Sequence, residues 1–310
     1  MKANFKKNWR VYLGIIVGIA AIIFIYLQWD KITASLTTLK SANWLFIALS
    51  IVTFTGTVLA ASVVIYSLRM VKQTKYSPIL LAQASTLFLA RITPASVGGL
   101  AAMARALVVQ KHSVLQAGSV VAAGSIATFV GNVILSTIAI LLFAGNVQFA
   151  DLKIPIFIIW IALALIVVFI ILMLIPKIRQ KVKNGLKQLV QTLSVYKDNK
   201  KALVYAVFYG FLVTLFYGLT MMLVAYAVGV HLSLLAAIIT ISLGSLGVAV
   251  TPLPGGAVGA EAAIAATLSQ FGVSSSDAIA IALVYRAVTF WLPLLPGFIA
   301  SQYALKNKYL

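Results

Sequence analysis

The grouping of its apolar residues constrains this chain more than any other feature. They run in blocks at least as long as the roughly 20 residues that carry a helix across a bilayer. Short loops between the blocks hold most of the charge. In hydrocarbon every backbone polar group must be satisfied within the protein, and helices do this segment by segment. The chain therefore reads as an all-α polytopic membrane protein, a single integral-membrane domain over 1–310. Composition agrees: 62% of residues are hydrophobic and 9% charged, where a soluble domain carries about 25% charged residues.

Other classes fall away quickly. A net charge of +19 in a soluble chain would suggest a nucleic-acid partner, but here the positive residues sit in loops between apolar blocks, so none is expected. No cysteine is present, which removes disulfides and thiolate metal sites. The two histidines, His112 and His231, lie far apart in the sequence, so neither a metal nor any cofactor is expected. No Walker A pattern points to ATP.

Full spans are expected at 11–29, 44–66, 114–144, 154–175, 202–228 and 278–304, six in all. The first follows a basic stretch from Lys2 to Arg10. Gln28-Trp29-Asp30 comes after it instead of a small-residue cleavage site, so it reads as a span and not a signal peptide. Two further apolar regions, 77–112 and 233–272, are interrupted near their centres. The first carries Thr93-Pro94 with Gly98-Gly99, the second Thr251-Pro252-Leu253-Pro254-Gly255-Gly256. Proline removes a helical donor and glycine weakens a helix, so each region should break into two half-helices. Broken backbone at membrane depth is tolerated only within protein or beside a wet cavity. Both regions are therefore expected to be re-entrant hairpins.

With the N-terminus cytoplasmic, this layout puts 18 of the 24 Lys and Arg residues in inner loops and 3 in outer loops. The asymmetry is the one the positive-inside rule demands, and it makes both termini cytoplasmic. The hairpins then enter from opposite leaflets, the mark of an inverted repeat with a binding site near the midplane. The stretch 177–201 carries eight basic residues, with Ile178, Val182, Leu186, Leu189, Val190 and Leu193 at helical spacing. It reads either as a cytoplasmic amphipathic helix on an anionic membrane surface or as a basic loop that sets topology.

Four ionisable residues fall inside the apolar regions: Arg91, Arg105, Glu261 and Arg286. At about 1.5 Å per helical residue, Arg286 lies about 12 Å and Glu261 about 15 Å below the outer surface, so the two can pair. Arg91 reaches about 21 Å up from the cytoplasm, near the level of Arg286, whereas Arg105 stays about 9 Å from the inner surface. The second arm of each hairpin starts beside its Gly-Gly, at Gly98-Gly99 and Gly255-Gly256, and points a helix N-terminus inward. Helix N-termini beside arginine suit a phosphate or carboxylate. Each group also has a structural reading. Glu261–Arg286 can be a staple or a protonatable gate. Arg91 can cap loose carbonyls at its break, and Arg105 can snorkel to headgroups.

The run Pro252-Leu253-Pro254-Gly255-Gly256-Ala257-Val258-Gly259-Ala260-Glu261 resembles the integral-membrane domain of the lysylphosphatidylglycerol synthase/flippase family, of the multiple-peptide-resistance-factor type. The run from Ala282 through Tyr285-Arg286 to Phe290-Trp291-Leu292-Pro293-Leu294 resembles it too. Arg91-Ile92-Thr93-Pro94 through Gly98-Gly99 to Arg105 is similar to the family's upstream motif, with Leu100-Ala101-Ala102 where an acid or polar residue is common. The resemblance implies a bacterial-type cell membrane and a flippase-like domain that moves aminoacylated phosphatidylglycerol. In long members a separate cytosolic domain transfers lysine; with Leu310 soon after the last span, a short member without it is expected.

The resulting expectation is a translocase whose partner is a phosphate-bearing lipid, a phospholipid or a polyprenyl phosphate, with a homodimer left open. Its substrate groups would be Arg91, Arg286, Glu261, Gly98, Gly99, Gly255, Gly256 and Arg105. The alternatives are a solute or ion secondary transporter, or the membrane part of a phosphatidylglycerol lysyltransferase. No activated nucleophile near a cytosolic surface favours an enzyme.

Overall fold

The computed structural model describes residues 42–93, 97–144, 199–251 and 258–310, together with 176, 179–180, 183–184, 190–192 and 194–197. The described residues are helical. In chain order the helices are α1 (Trp44–Ser67), α2 (Tyr76–Ile92), α3 (Val97–Val109), α4 (Val114–Ala144), α5 (Lys200–Ala227), α6 (Leu234–Val250), α7 (Gly259–Gln270), α8 (Ser275–Arg286) and α9 (Leu294–Lys306). A π-helical turn, Ala287–Trp291, joins α8 to the start of α9. Four stretches are long and apolar enough to cross a membrane: Trp44–Ser67, Val114–Phe143, Lys200–Ala227 and Ser275–Lys306. They coincide with four of the six expected spans. The other two, 11–29 and 154–175, lie outside the described residues, as do most positions of 177–201.

Both expected interruptions occur. A residue before proline is pushed out of the helical region by the proline ring. Thr93 accordingly ends α2 at φ −111°, ψ 142°, and Thr251 ends α6 at φ −95°, ψ 121°. Past each break the chain returns along itself. The Lys75 N–H at the start of α2 donates to Gln110 Oε1 just past the end of α3, at 2.7 Å. In the second pair, Gly244 faces Ile264 while Gly247 faces Gly259 and Ala263. In both pairs the two arms are antiparallel.

The same order of elements appears twice. A long helix (24 or 28 residues) leads to a 17-residue arm, a 13- or 12-residue arm, and a closing stretch of 31 or 32 residues. The leading helices α1 and α5 pack antiparallel over their whole length. Asn43 N–H donates to Ala227 O at 2.8 Å, Thr53 and Thr220 share a hydroxyl bond at 2.9 Å, and Tyr196 OH reaches Leu68 O at 2.8 Å. Two apolar cores form, one centred in each half, with the leading helices α1 and α5 contributing to both. Leu68, Ile79, Leu107 and Val120 fill one, and Met221, Ile241, Leu268 and Ile281 fill the other. The closing stretches cross over: α9 packs on α2 through Gly297 and Phe298 against Phe88, and α4 reaches α6 through Ser136–Ser242 at 2.7 Å. Where α4 passes α5, Gly131 and Gly210 bring backbone against backbone, an approach any Cβ would obstruct.

The two ends of the bundle differ in charge. Arg69, Lys72, Lys75 and Lys111 lie at one end with Lys197, Lys200, Lys201, Lys306 and Lys308. His112 ties that end together. Its Nε2 accepts from the Met70 and Val71 N–H groups at 3.3 and 3.4 Å, and its Nδ1 lies 3.1 Å from Leu107 O. His112 stands in a short polar link between apolar stretches, yet it is buried in this junction. The opposite end, where Phe143 meets Phe271, carries no lysine or arginine among the described residues.

Candidate functional site

Scarce charges in apolar helices must meet each other or a polar cavity. Arg286, the last residue of α8, donates from Nε to Glu261 Oε1 in the first turn of α7 at 2.9 Å. The expected ion pair is therefore present, and both partners are largely buried. Glu261 Oε2 is buried with no hydrogen-bond partner among the described residues. At the start of a helix the carboxylate is also favoured by the exposed N–H groups of the first turn.

Arg91 comes from the other half. Its Nη2 donates to Thr289 O at 2.5 Å, and its Nη1 donates to Leu87 O one turn back along α2. Thr289 is the residue four before Pro293, which has no N–H to offer it. The carbonyl orphaned by Pro293 thus receives its donor from the opposite half of the molecule. Arg91 does cap a carbonyl, but that carbonyl belongs to the π-turn of the other half and not to its own break, where its structural reading put it. A guanidinium has five N–H donors, so two carbonyls leave it capacity for a ligand.

Phe290, inside that π-turn, brings the two arginines together. The Arg286 Cζ lies 4.3 Å and the Arg91 Cζ 5.2 Å from its ring centroid. A phenyl face attracts cations, which lets two guanidinium groups share a small volume. Tyr285 packs in the apolar core and Trp291 is exposed. Phe290 and Thr289 carried no charge or motif of their own. Their only sequence signals were offsets: Phe290 one turn after Arg286, Thr289 one turn before Pro293.

The two breaks share one detail. Thr93 Oγ1 donates to Leu89 O and Thr251 Oγ1 to Gly247 O, each four residues back and each at 2.7 Å. Thr93 Oγ1 also accepts the Gly98 N–H at 2.9 Å, and Gly259 lies so close to Thr251 Oγ1 that a Cβ would overlap it. Each threonine hydroxyl therefore sits against the start of the second arm. Gly98 and Gly99 serve close packing, since a Cβ on either would press on Leu89, Thr93 or Ala90. Gly255 and Gly256 lie outside the described residues. Arg105 is exposed on α3 and makes no hydrogen bond or ion pair among the described residues, so it does not join the other three.

No functionally curated protein matches the chain. The family profile described as the lysylphosphatidylglycerol synthase TM region matches residues 11–297.

Proposed function

Because the chain belongs to the lysylphosphatidylglycerol synthase transmembrane family, we propose that it moves a phosphate-bearing lipid between leaflets. The observation that carries this reading is the pair of arginines from two halves of the molecule, both at the ring of Phe290, with one glutamate beside them. A lipid phosphate is the ligand such a place suits: arginine binds phosphate through paired N–H donors, and a buried anion needs that compensation. Glu261 holds Arg286 while the place is empty and yields it, or meets a cationic headgroup, when a lipid arrives.

The basic end lies in the cytoplasm by the positive-inside rule, and the two broken pairs enter from opposite leaflets as an inverted repeat. Support comes from the repeated helix lengths and from the antiparallel leading helices. Exposure alternates as one half rocks against the other, with Arg91 and Thr289 as the contact that changes.

The test is reconstitution in liposomes with headgroup-labelled phospholipids and an external quencher. Wild type should render the inner-leaflet label accessible, and Arg286→Ala should abolish this while the protein remains folded. Uptake of a soluble anion with no lipid movement would instead establish a solute transporter. Lysyl transfer from a charged tRNA by a complex containing this chain would establish the transferase reading.

A further inference from the structure

The repeat makes a specific comparison possible. Glu261 is the third residue of α7, and the third residue of α3 is Gly99. Arg286 is the twelfth residue of α8, and the twelfth residue of α4 is Ser125. Where the second half holds an ion pair, the first half holds a glycine and a serine. Both of these line a groove of about 340 Å³ between α1, α2, α3 and α4. The second half is plugged by charge at this position and the first half is open.

The walls say what the groove can take. None of its lining residues is charged, and Val64, Ile65, Met103 and Val121 supply apolar surface. Its hydroxyls are already committed: Thr86 to Gln83 O, Ser125 to Val121 O and Thr128 to Gly124 O. Gln83 also lines it, about 10 Å up α2 from its basic end. At the upper end the groove reaches Ala90, the neighbour of Arg91. Leu100 and Ser125 stand exposed at its mouth.

We propose that this groove seats one acyl chain of a diacyl phospholipid, with its ester end beside Ala90, the phosphate directed toward Arg91 and the chain running down toward Gln83. The inference rests on the lipid reading of the arginine site and adds a second, uncharged subsite to it. It assigns unequal tasks to the two halves. The first half grips the tail, and the second half, through Glu261–Arg286, answers to the headgroup.

The chain contains no cysteine, and binding can be read without transport. Wild-type protein is reconstituted in phosphatidylglycerol vesicles doped with phosphatidylglycerol bearing a diazirine on one acyl chain, or with a headgroup-labelled counterpart. Adducts are mapped by mass spectrometry. The acyl probe should label Ala61, Met103 or Ser125 in the groove above the level seen at outward-facing Phe129 and Ile140, and the headgroup probe should not. Ser125→Trp, which fills the groove, should lower those adducts roughly tenfold or more, and Ser125→Ala should leave them in place. Uniform labelling of all apolar surfaces overturns the proposal, as does equal labelling by both probes. Because the wild-type map is decisive, a Trp variant that fails to fold does not rescue it. Label movement is followed in the same vesicles. Groove adducts without movement sustain the subsite and refute translocation, whereas movement without groove adducts refutes the subsite alone.

Discussion

Removing Arg91 should cost stability in a way that depends on a proline two hundred residues away in sequence. In Arg91→Met the stem is kept and the guanidinium lost. Thr289 O then loses its donor, and Pro293 has none to give it. A hydrogen bond to a charged group contributes about 1.5–3 kcal/mol, and the contact with Phe290 adds about 0.5–1 kcal/mol. Leu87 O keeps its place in α2 and adds little. The expected loss is about 2–4 kcal/mol. Pro293 has φ −70° and ψ −10°, which alanine adopts freely, so Pro293→Ala restores an N–H at the right position. In that background Arg91→Met should cost about 1–2 kcal/mol less, because the carbonyl is no longer left bare. Equilibrium unfolding in mixed micelles gives the four corners of this double-mutant cycle. A sum that is additive within about 0.5 kcal/mol would show that the arginine does not serve the carbonyl orphaned by the proline.

Glu261→Ala leaves the Arg286 guanidinium buried without its carboxylate and should cost about 3–5 kcal/mol, with much of that recovered in Glu261→Ala/Arg286→Ala. Glu261→Gln keeps an acceptor and should alter the rate or pH dependence of lipid movement more than the yield of protein; a change in yield alone would make the pair a staple. His112 has its pKa lowered, chiefly by burial, with backbone hydrogen bonds opposing. Its Nε2 must stay an acceptor, so the unfolded chain binds a proton more readily than the folded one. Stability should be full above the unfolded-state value of about 6.5 and should decline as pH falls through it; His112→Gln should flatten unfolding profiles in that window. A Cβ at Gly210 would stand 2.7 Å from backbone atoms of Ala127 and Thr128. Gly210→Ala should therefore force α4 from α5 at a cost of about 1–3 kcal/mol, visible as a lower thermal midpoint.

Much of the site was legible because charge is so rare here. With one glutamate in the chain and few arginines within apolar helices, depth arithmetic sufficed to pair Glu261 with Arg286 and to put Arg91 at their level. Arg105 was legible as the shallowest of the four, yet it was counted with the substrate groups, and only the structure sets it apart from the other three. Phe290 and Gln83 were not, since an aromatic and an amide in an apolar run announce nothing until the faces they occupy are known. His112 illustrates the same limit. Its neighbours in sequence are ordinary, and only the return of α3 to the end of α1 gives Nε2 two backbone donors.

By itself the sequence determined that the chain spans a membrane, where four of its long helices run, and where two apolar stretches break. These are local consequences: hydrocarbon tolerates only internally bonded backbone, and Thr-Pro cannot continue a helix. Tertiary structure alone decided which half supplies the donor for Thr289 O, that two arginines share one ring, and that Gly99 and Ser125 face a groove where Glu261 and Arg286 meet in the other half. Those outcomes depend on how the two halves pack, and packing joins residues that no local pattern connects.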